Sequence, residues 1–159
     1  MAVIFNVSEI LQFAIKIEKN GEDFYRKVSE KISDSEIKKL FIFLAEEEVR
    51  HGEIFAEMIG NVIKYEPPET YPGEYFQYLR AYADNLIFPP EIEKDLDYSS
   101  VIKAIDFGIK RELDSIMYYL ETKAVVPESQ HSVMDKIIEE ERNHFVRLSA
   151  LKKEMQKKI

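Results

Sequence analysis

The chain has 159 residues, of which 45% are hydrophobic and 33% charged, and its net charge is −8. This length suits a single domain over residues 1–159, and the negative charge disfavours a nucleic-acid-binding protein. Because the sequence contains no cysteine, disulfides, cysteine-ligated metals and thiol nucleophiles are excluded. No apolar run approaches the roughly 20 residues of a membrane helix, and the N-terminus lacks a signal-peptide pattern. We therefore expect a cytoplasmic protein without a membrane or nucleic-acid partner.

The N-terminal part of the chain predicts a hairpin of two long helices over residues 8–63. Ser8 is a suitable N-cap before the first helical pattern. Ser33 and Asp34 offer a turn and a new cap, after which helical periodicity continues to the end of the hairpin.

The rest of the chain predicts a long connection, residues 64–97, and a second helical hairpin, residues 98–157. The connection contains most of the prolines, which interrupt helices, although residues 75–88 favour one short helix. Pro127 is placed to open the last helix, since proline is tolerated at a first helical position. Two antiparallel hairpins joined by one long crossover predict an all-α four-helix bundle.

The core-facing stripes of the four helices contain polar residues at positions where apolar ones are expected. The second and fourth stripes each hold a Glu-x-x-His motif, and the first and third each hold one central glutamate. These six residues are Glu18, Glu48, His51, Glu112, Glu141 and His144. No Lys or Arg lies on the stripes, and buried carboxylates without a counter-charge are costly, so we interpret the six as metal ligands.

The spacing of these residues supports a shared site for two ions. In each hairpin the two glutamates lie almost equally far in sequence from the turn, which places them at one height in an antiparallel pair. The segments AIKIEKNGEDFY and EEEVRH also recur as GIKRELDSIMYY and EEERNH, so each half supplies two glutamates and one histidine. Oxygen-rich ligands with two imidazoles favour two iron ions per chain, with manganese as the alternative.

These four segments resemble the di-iron domain of the rubrerythrins, within the ferritin-like superfamily, and the resemblance covers all four helices. It implies a ferritin-like bundle in which Glu48 and Glu141 bridge the two irons, while the other four residues are terminal ligands. It further implies that Tyr25 and Tyr119 contact the ligating carboxylates. Rubrerythrins carry one more glutamate three residues from the ligand of the third helix, where this chain has Ile109 and Ser115. A seventh carboxylate ligand and its redox-linked exchange are therefore not predicted.

The resemblance implies an enzyme, a di-iron oxidoreductase that reduces hydrogen peroxide or dioxygen. Because no cysteine is present to bind a rubredoxin-type iron, we expect an external electron-donor protein such as a rubredoxin. A homodimer is expected by resemblance alone. A second hypothesis is a ferroxidase within an iron storage or delivery protein, and a third is a metal-free helical interaction module. The glutamates next to the ligands are expected to be solvated or to contact the ligands rather than bind metal: Glu46, Glu47, Glu139 and Glu140.

Overall fold

The computed structural model describes residues 7–62, 73–86 and 100–158, and within these ranges the chain is helical without any strand. Its five α-helices are α1 (Val7–Lys31), α2 (Ser35–Val62), α3 (Gly73–Leu86), α4 (Val101–Val125) and α5 (His131–Lys157). The all-α class predicted from the sequence is confirmed. None of the described helices combines the length and hydrophobicity that a membrane span requires.

The first hairpin consists of α1 and α2, which pack against each other along their lengths. Asp34 caps α2: its Oδ1 accepts hydrogen bonds from the backbone N–H groups of Glu36, at 2.9 Å, and Ile37, at 3.1 Å. These bonds satisfy two of the four N–H groups that a helix leaves free at its start. Ser8 lies one residue inside α1 rather than before it.

The second hairpin consists of α4 and α5. The Ser100 side chain accepts a hydrogen bond from the backbone N–H of Lys103 and so caps α4. Pro127 does not open α5 directly, because a short 3-10 helix, Glu128–Gln130, lies between them. Proline has no backbone N–H to donate, and the start of a helical turn does not require one. Pro127 therefore suits the tight turn that leads into α5.

Helix α3 is the described part of the predicted crossover and packs on α1 and α4. It begins and ends two residues earlier than the helix predicted at residues 75–88. Leu79 and Ala83 are buried against the bundle. The ring of Tyr82 stacks on that of Tyr118, with the ring centroids 5.8 Å apart. The remainder of the predicted crossover, residues 64–72 and 87–97, lies outside the described residues.

Two apolar clusters lie on either side of a polar layer across the middle of the bundle. One cluster is built around Leu11, Phe55 and Met134, towards the end where α3 packs. The other is built around Phe41 and Leu148, towards the turn between α1 and α2. The polar layer is thus screened from water along the bundle axis by hydrophobic side chains.

We expect that Asp34→Ala lowers the free energy of unfolding by about 1 kcal/mol, because it removes the cap of α2. Asp34→Ser is the matched control, since serine also caps helices. Its free energy of unfolding should fall by only a few tenths of a kcal/mol. Urea unfolding followed by circular dichroism measures both variants. Equal stability of the alanine and wild-type proteins would contradict the assignment of this cap.

Candidate metal centre

The polar layer is formed by the six residues predicted as ligands, and each of the four long helices contributes to it. They are Glu18 from α1, Glu48 and His51 from α2, Glu112 from α4, and Glu141 and His144 from α5. None of them exposes more than 2% of its surface. The structure therefore brings all six into one buried cluster, which we call the Glu–His cluster.

The ligand atoms of the Glu–His cluster converge in two groups. In each group the oxygen and nitrogen atoms all lie within 4.8 Å of one another. The first group is Glu48, Glu112, Glu141 and His144, and the second is Glu18, His51 and Glu141. Glu141 belongs to both groups, so its carboxylate stands between the two positions that an ion could take.

Two matching chains of polar contacts cross the bundle, and each chain uses all four long helices. In the first, Tyr25 donates a hydrogen bond to Glu112 Oε1, and Glu112 Oε2 lies 3.6 Å from His144 Nδ1. The outer nitrogen of that ring, Nε2, lies 3.8 Å from Glu47 Oε2.

The second chain repeats the order tyrosine, glutamate, histidine, glutamate. Tyr119 donates to Glu18 Oε1, and Glu18 Oε2 lies 3.7 Å from His51 Nδ1. His51 Nε2 lies 2.8 Å from Glu140 Oε2. Both imidazoles therefore direct Nδ1 into the cluster and Nε2 towards an outer carboxylate, an arrangement that fixes ring orientation in histidines that bind metals.

Arg50 links the outer ends of the two chains. Its Nη2 lies 2.7 Å from Glu47 Oε2 and 2.6 Å from Glu140 Oε2, so one guanidinium ties α2 to α5 beside both histidines. Glu47 and Glu140 are half-buried, whereas Glu46 and Glu139 are exposed. Of the four glutamates that flank the ligands in sequence, two therefore support the site and two face solvent.

The pKa values of the glutamates in the cluster are shifted in opposite directions. Burial opposes ionisation of Glu112, but hydrogen bonding with Glu141 and His144 lowers its pKa to about 2. Burial raises the pKa of Glu48 and of Glu141 well above the usual value, and neighbouring carboxylates raise it further, Glu18 at Glu48 and Glu112 at Glu141. Without a cation, the cluster therefore holds protons on some of its carboxyl groups.

The histidine His51 is held in its charged form by the same carboxylates. Burial lowers its pKa, but hydrogen bonding with Glu18 and the charges of Glu18 and Glu48 outweigh burial and raise the pKa to about 9. A metal ion replaces such protons as the compensating positive charge, since imidazole and carboxylate must lose their protons to bind it.

The donor atoms of the cluster fit divalent cations. Eight of the cluster's nitrogen and oxygen atoms are buried and make no hydrogen bond of regular geometry, although some lie close to an opposite charge, as His51 Nδ1 does at 2.7 Å from Glu141 Oε1. They are one atom each on Glu18, Glu112, His51 and His144, and two each on Glu48 and Glu141. Buried polar atoms are rarely left without partners, because each one costs about 1–3 kcal/mol. Convergent, unpartnered carboxylate and imidazole atoms are what a cation requires, so the cluster is a metal-binding site.

One buried cation was not predicted. The sequence analysis found no Lys or Arg on the core stripes and concluded that the carboxylates lack a counter-charge. That conclusion is wrong, because Arg111, beside the stripe of α4, is 1% exposed and its Nη2 lies 3.2 Å from Glu48 Oε2. The same nitrogen donates to the backbone oxygen of Ile17, and the guanidinium lies over the ring of Tyr25. The buried face of α4 is wider than the single predicted stripe because α1, α3 and α5 all pack against it.

Gly21 makes the room that Arg111 occupies. A Cβ atom at this position would overlap the Arg111 guanidinium. Glycine is unfavourable inside a helix by roughly 0.5–1 kcal/mol relative to alanine, so its presence in the middle of α1 needs a reason. The sequence signal that could have revealed Arg111 was this small residue on the core stripe of α1, between Glu18 and Tyr25.

Two cavities reach the Glu–His cluster from the surface. One, of about 150 Å³, lies between α2 and α5 and is lined by Glu47, Glu140 and His144 among others. The other, of about 230 Å³, lies between α1 and α2 and is lined by Glu18, Glu48 and Gly52 among others. Both oxygen atoms of Glu48 are buried, so these cavities approach the cluster without exposing its ligand atoms.

The comparisons with known proteins agree with this geometry. The family model described as Rubrerythrin matches residues 9–152. The chain belongs to the rubrerythrin family. It is also similar to a Thermotoga maritima structure described as a ferritin-like diiron-carboxylate protein, with 33% identity, a TM-score of 0.70, and coverage of 95% of this chain and 97% of that one.

A second solved structure shows the same fold at lower identity. It is a hypothetical protein from Pyrococcus furiosus, with 21% identity, a TM-score of 0.67, and coverage of 94% of this chain and 89% of that one. No curated protein matches the chain. The predicted ferritin-like bundle is thus confirmed, and the rubrerythrin family together with the Glu–His cluster fits a di-iron protein.

The position of the further rubrerythrin glutamate holds no carboxylate in this rubrerythrin. Ser115 is buried and Ile109 packs against the apolar cluster around Phe41, so neither offers an additional anionic ligand. Arg111, on the same helix, instead adds a positive charge beside Glu48. The electrostatic balance of the site therefore differs from one with a seventh carboxylate.

We expect Gly21→Ala to lower the free energy of unfolding of the metal-free protein by roughly 1–3 kcal/mol, because its methyl group displaces Arg111. Gly60→Ala is the matched control: a Cβ there meets nothing within 4 Å, so this exposed helical position should gain roughly 0.5–1 kcal/mol. Denaturant unfolding in the presence of a chelator measures both. Equal stabilisation by the two alanines would overturn the role assigned to Gly21.

Proposed function

We propose that this rubrerythrin is a di-iron oxidoreductase that reduces hydrogen peroxide with electrons from an external donor protein. The observation that carries the proposal is the buried Glu–His cluster, whose ligand atoms converge in two groups that share Glu141. Four carboxylates and two imidazoles form an oxygen-rich set, which suits iron or manganese better than a tetrahedral, thiolate-preferring ion. Membership of the rubrerythrin family supports iron as the metal.

The chain's own residues hold the site in a fixed geometry and restrict its contact with water. A bound pair of ferrous ions would supply the two electrons that cleavage of the O–O bond requires. Glu47 and Glu140 orient the two imidazoles, and Arg50 holds these two carboxylates in place. Reactions that involve large charge changes benefit from such a preorganised, water-poor environment.

Tyr25 and Tyr119 keep hydroxyl protons next to the ligating carboxylates. Burial raises the pKa of each tyrosine, and the neighbouring glutamate, Glu112 or Glu18, raises it further. Each hydroxyl therefore remains protonated near neutral pH and donates to its glutamate. We propose that these hydrogen bonds stabilise the two carboxylates as ligands while charge at the centre changes.

A ferroxidase that passes iron to a storage or delivery pathway is the second candidate function. The observation that favours it is a third group, formed by the half-buried Glu47 and Glu140 with the buried His51, whose ligand atoms also lie within 4.8 Å of one another. These carboxylates stand between the α2–α5 cavity and the cluster, on a path that an incoming ferrous substrate ion could take.

Kinetics separate the two functions. A peroxidase loaded with iron should consume hydrogen peroxide over many turnovers when a reductase and a rubredoxin supply electrons. A ferroxidase should instead oxidise added ferrous ions and accumulate many iron atoms per chain without sustained peroxide turnover. A protein that binds no ferrous iron after purification would leave only the metal-free interaction module.

We expect Glu48→Ala and Glu141→Ala to lose the two-metal stoichiometry, because each removes a carboxylate from a buried group of ligands. Ferrous iron per chain, measured by elemental analysis after desalting, should fall from about two to one or fewer, as expected when a buried ligand of a metal pair is lost. Glu46→Ala and Glu139→Ala are controls of the same chemistry at exposed neighbouring positions. Unchanged metal content in both buried variants would contradict the ligand assignment.

A further inference from the structure

A row of four tyrosines leads from the Glu–His cluster to the surface of the protein. Tyr119 of α4 donates a hydrogen bond to Glu18, and its ring centroid lies 6.1 Å from that of the neighbouring Tyr118. The ring of Tyr82, on α3, stacks on Tyr118 with the centroids 5.8 Å apart, and Tyr78 follows at 6.0 Å from Tyr82. These spacings are typical of aromatic rings in contact. We call Tyr119, Tyr118, Tyr82 and Tyr78 the tyrosine row.

The exposure of the rings increases along the tyrosine row. Tyr119 and Tyr118 are 0% exposed, and Tyr82 is half-buried. The outermost ring, Tyr78, is 45% exposed. Helix α3, which packs on α1 and α4, therefore does more than cover the bundle, because it extends a series of buried rings to solvent.

Tyrosine is the residue of this chain that loses a single electron most readily. Cysteine, tryptophan and tyrosine are the side chains that undergo one-electron oxidation most easily, and the chain has no cysteine, no tryptophan and nine tyrosines. Electron transfer between such groups slows steeply with distance and is efficient between rings in contact. The tyrosine row is therefore a continuous path for single electrons between the surface and the Glu–His cluster.

The other half of the bundle gives the equivalent tyrosine different neighbours. Tyr25 corresponds to Tyr119 in the internal repeat, but Phe24 takes the position that corresponds to Tyr118. The ring of Tyr25 lies beside those of Phe24 and Phe41, and a phenyl ring is far harder to oxidise than a phenol. The row is thus a feature of the Tyr119 side, and the duplication of the ligands does not account for it.

The hydroxyl groups of the row determine where an oxidised tyrosine is stable. Tyr118 donates to the backbone oxygen of Ile10. Tyr82 donates to the backbone oxygen of Asp114, and burial together with that residue's charge raises the pKa of Tyr82 to about 12. A backbone oxygen does not take up a proton, whereas the exposed Tyr78 can release its proton to water. Because oxidation of a phenol is completed when its proton leaves, the neutral phenoxyl radical forms at Tyr78.

We propose that the tyrosine row supplies the second electron for peroxide reduction when the metal centre can supply only one. Hydrogen peroxide takes up two electrons and two protons as its O–O bond breaks, and two water molecules form. One ferrous ion provides one electron, and Tyr78 provides the other through the row. Two protons from solvent complete the water molecules, and Tyr78 returns one proton to solvent as it becomes a radical. The inference rests on the proposed reduction of peroxide, and the external donor protein restores Tyr78 with one electron while a proton returns from solvent.

Spin trapping locates the radical without a measurement of turnover. The full chain is loaded anaerobically with one ferrous ion per chain, so that peroxide meets one electron where it requires two. One equivalent of hydrogen peroxide is added together with a nitroso spin trap, and peptide mass spectrometry locates the adduct. Wild type is expected to carry the adduct at Tyr78. With two ferrous ions per chain and the same amount of peroxide, the metal supplies both electrons, and most of the adduct should be lost.

Two substitutions interrupt the row at different contacts. Tyr82→Phe and Tyr118→Phe each keep an aromatic ring for packing but remove the oxidisable phenol, so each should lower the adduct at Tyr78 by about tenfold without loss of iron. The two variants lose different hydrogen bonds, so a shared effect indicates the electron path rather than a local change in structure. Tyr25→Phe is the matched control beside the cluster but outside the row. It should leave the adduct per bound iron within about twofold of wild type, as expected for an independent site.

The outcomes separate this inference from the proposed function. A wild-type protein that binds no ferrous iron contradicts the proposed metal centre before peroxide is added. If the protein binds iron but no adduct forms at Tyr78, the inference is overturned. An adduct of equal strength in wild type and in both row variants also overturns it, because hydroxyl radicals from unbound iron would label an exposed tyrosine in that way.

Discussion

The structure depends on one electrostatic constraint, the burial of four carboxylates and two imidazoles between two apolar clusters. Such a layer gives up the hydration of its charges, and apolar packing alone cannot repay that loss. The unpartnered atoms of the cluster show that hydrogen bonds within the protein do not fully compensate the lost hydration. Cations bound at the cluster would compensate these charges, and folding of the bundle would then be linked to binding of metal.

The polar contacts around the cluster join the helices as well as preparing the site. Each of the two chains, from Tyr25 to Glu47 and from Tyr119 to Glu140, connects all four long helices through side chains that also orient the ligands. Helix α3 covers the groove between α1 and α4 and supplies apolar cover near one end of the site. Support of this kind allows a polar site to keep its shape inside a hydrophobic bundle.

Much of the fold and the candidate site could be predicted, because periodicity and motif spacing are local properties of the sequence. The Glu-x-x-His motifs interrupt otherwise apolar stripes, which is why Glu48 and His51 could be identified without coordinates. Arg111 could not, because a helix packed on three sides buries more than one stripe, and basic residues are usually exposed. Glu47 and Glu140 were similarly ambiguous, since their support of the histidines depends on how α2 and α5 meet.

The unequal halves of the bundle have a consequence for the charge at the two positions that an ion could take. Arg111 lies beside Glu48, in the group that contains Glu112 and His144, while the repeat offers only the uncharged side chain of Ile17 near the other group. A fixed positive charge repels an incoming cation most strongly at the nearer position. The two positions are therefore not equivalent: the group with Glu48 contains one more carboxylate than the group with Glu18 and His51, and Arg111 offsets that additional negative charge.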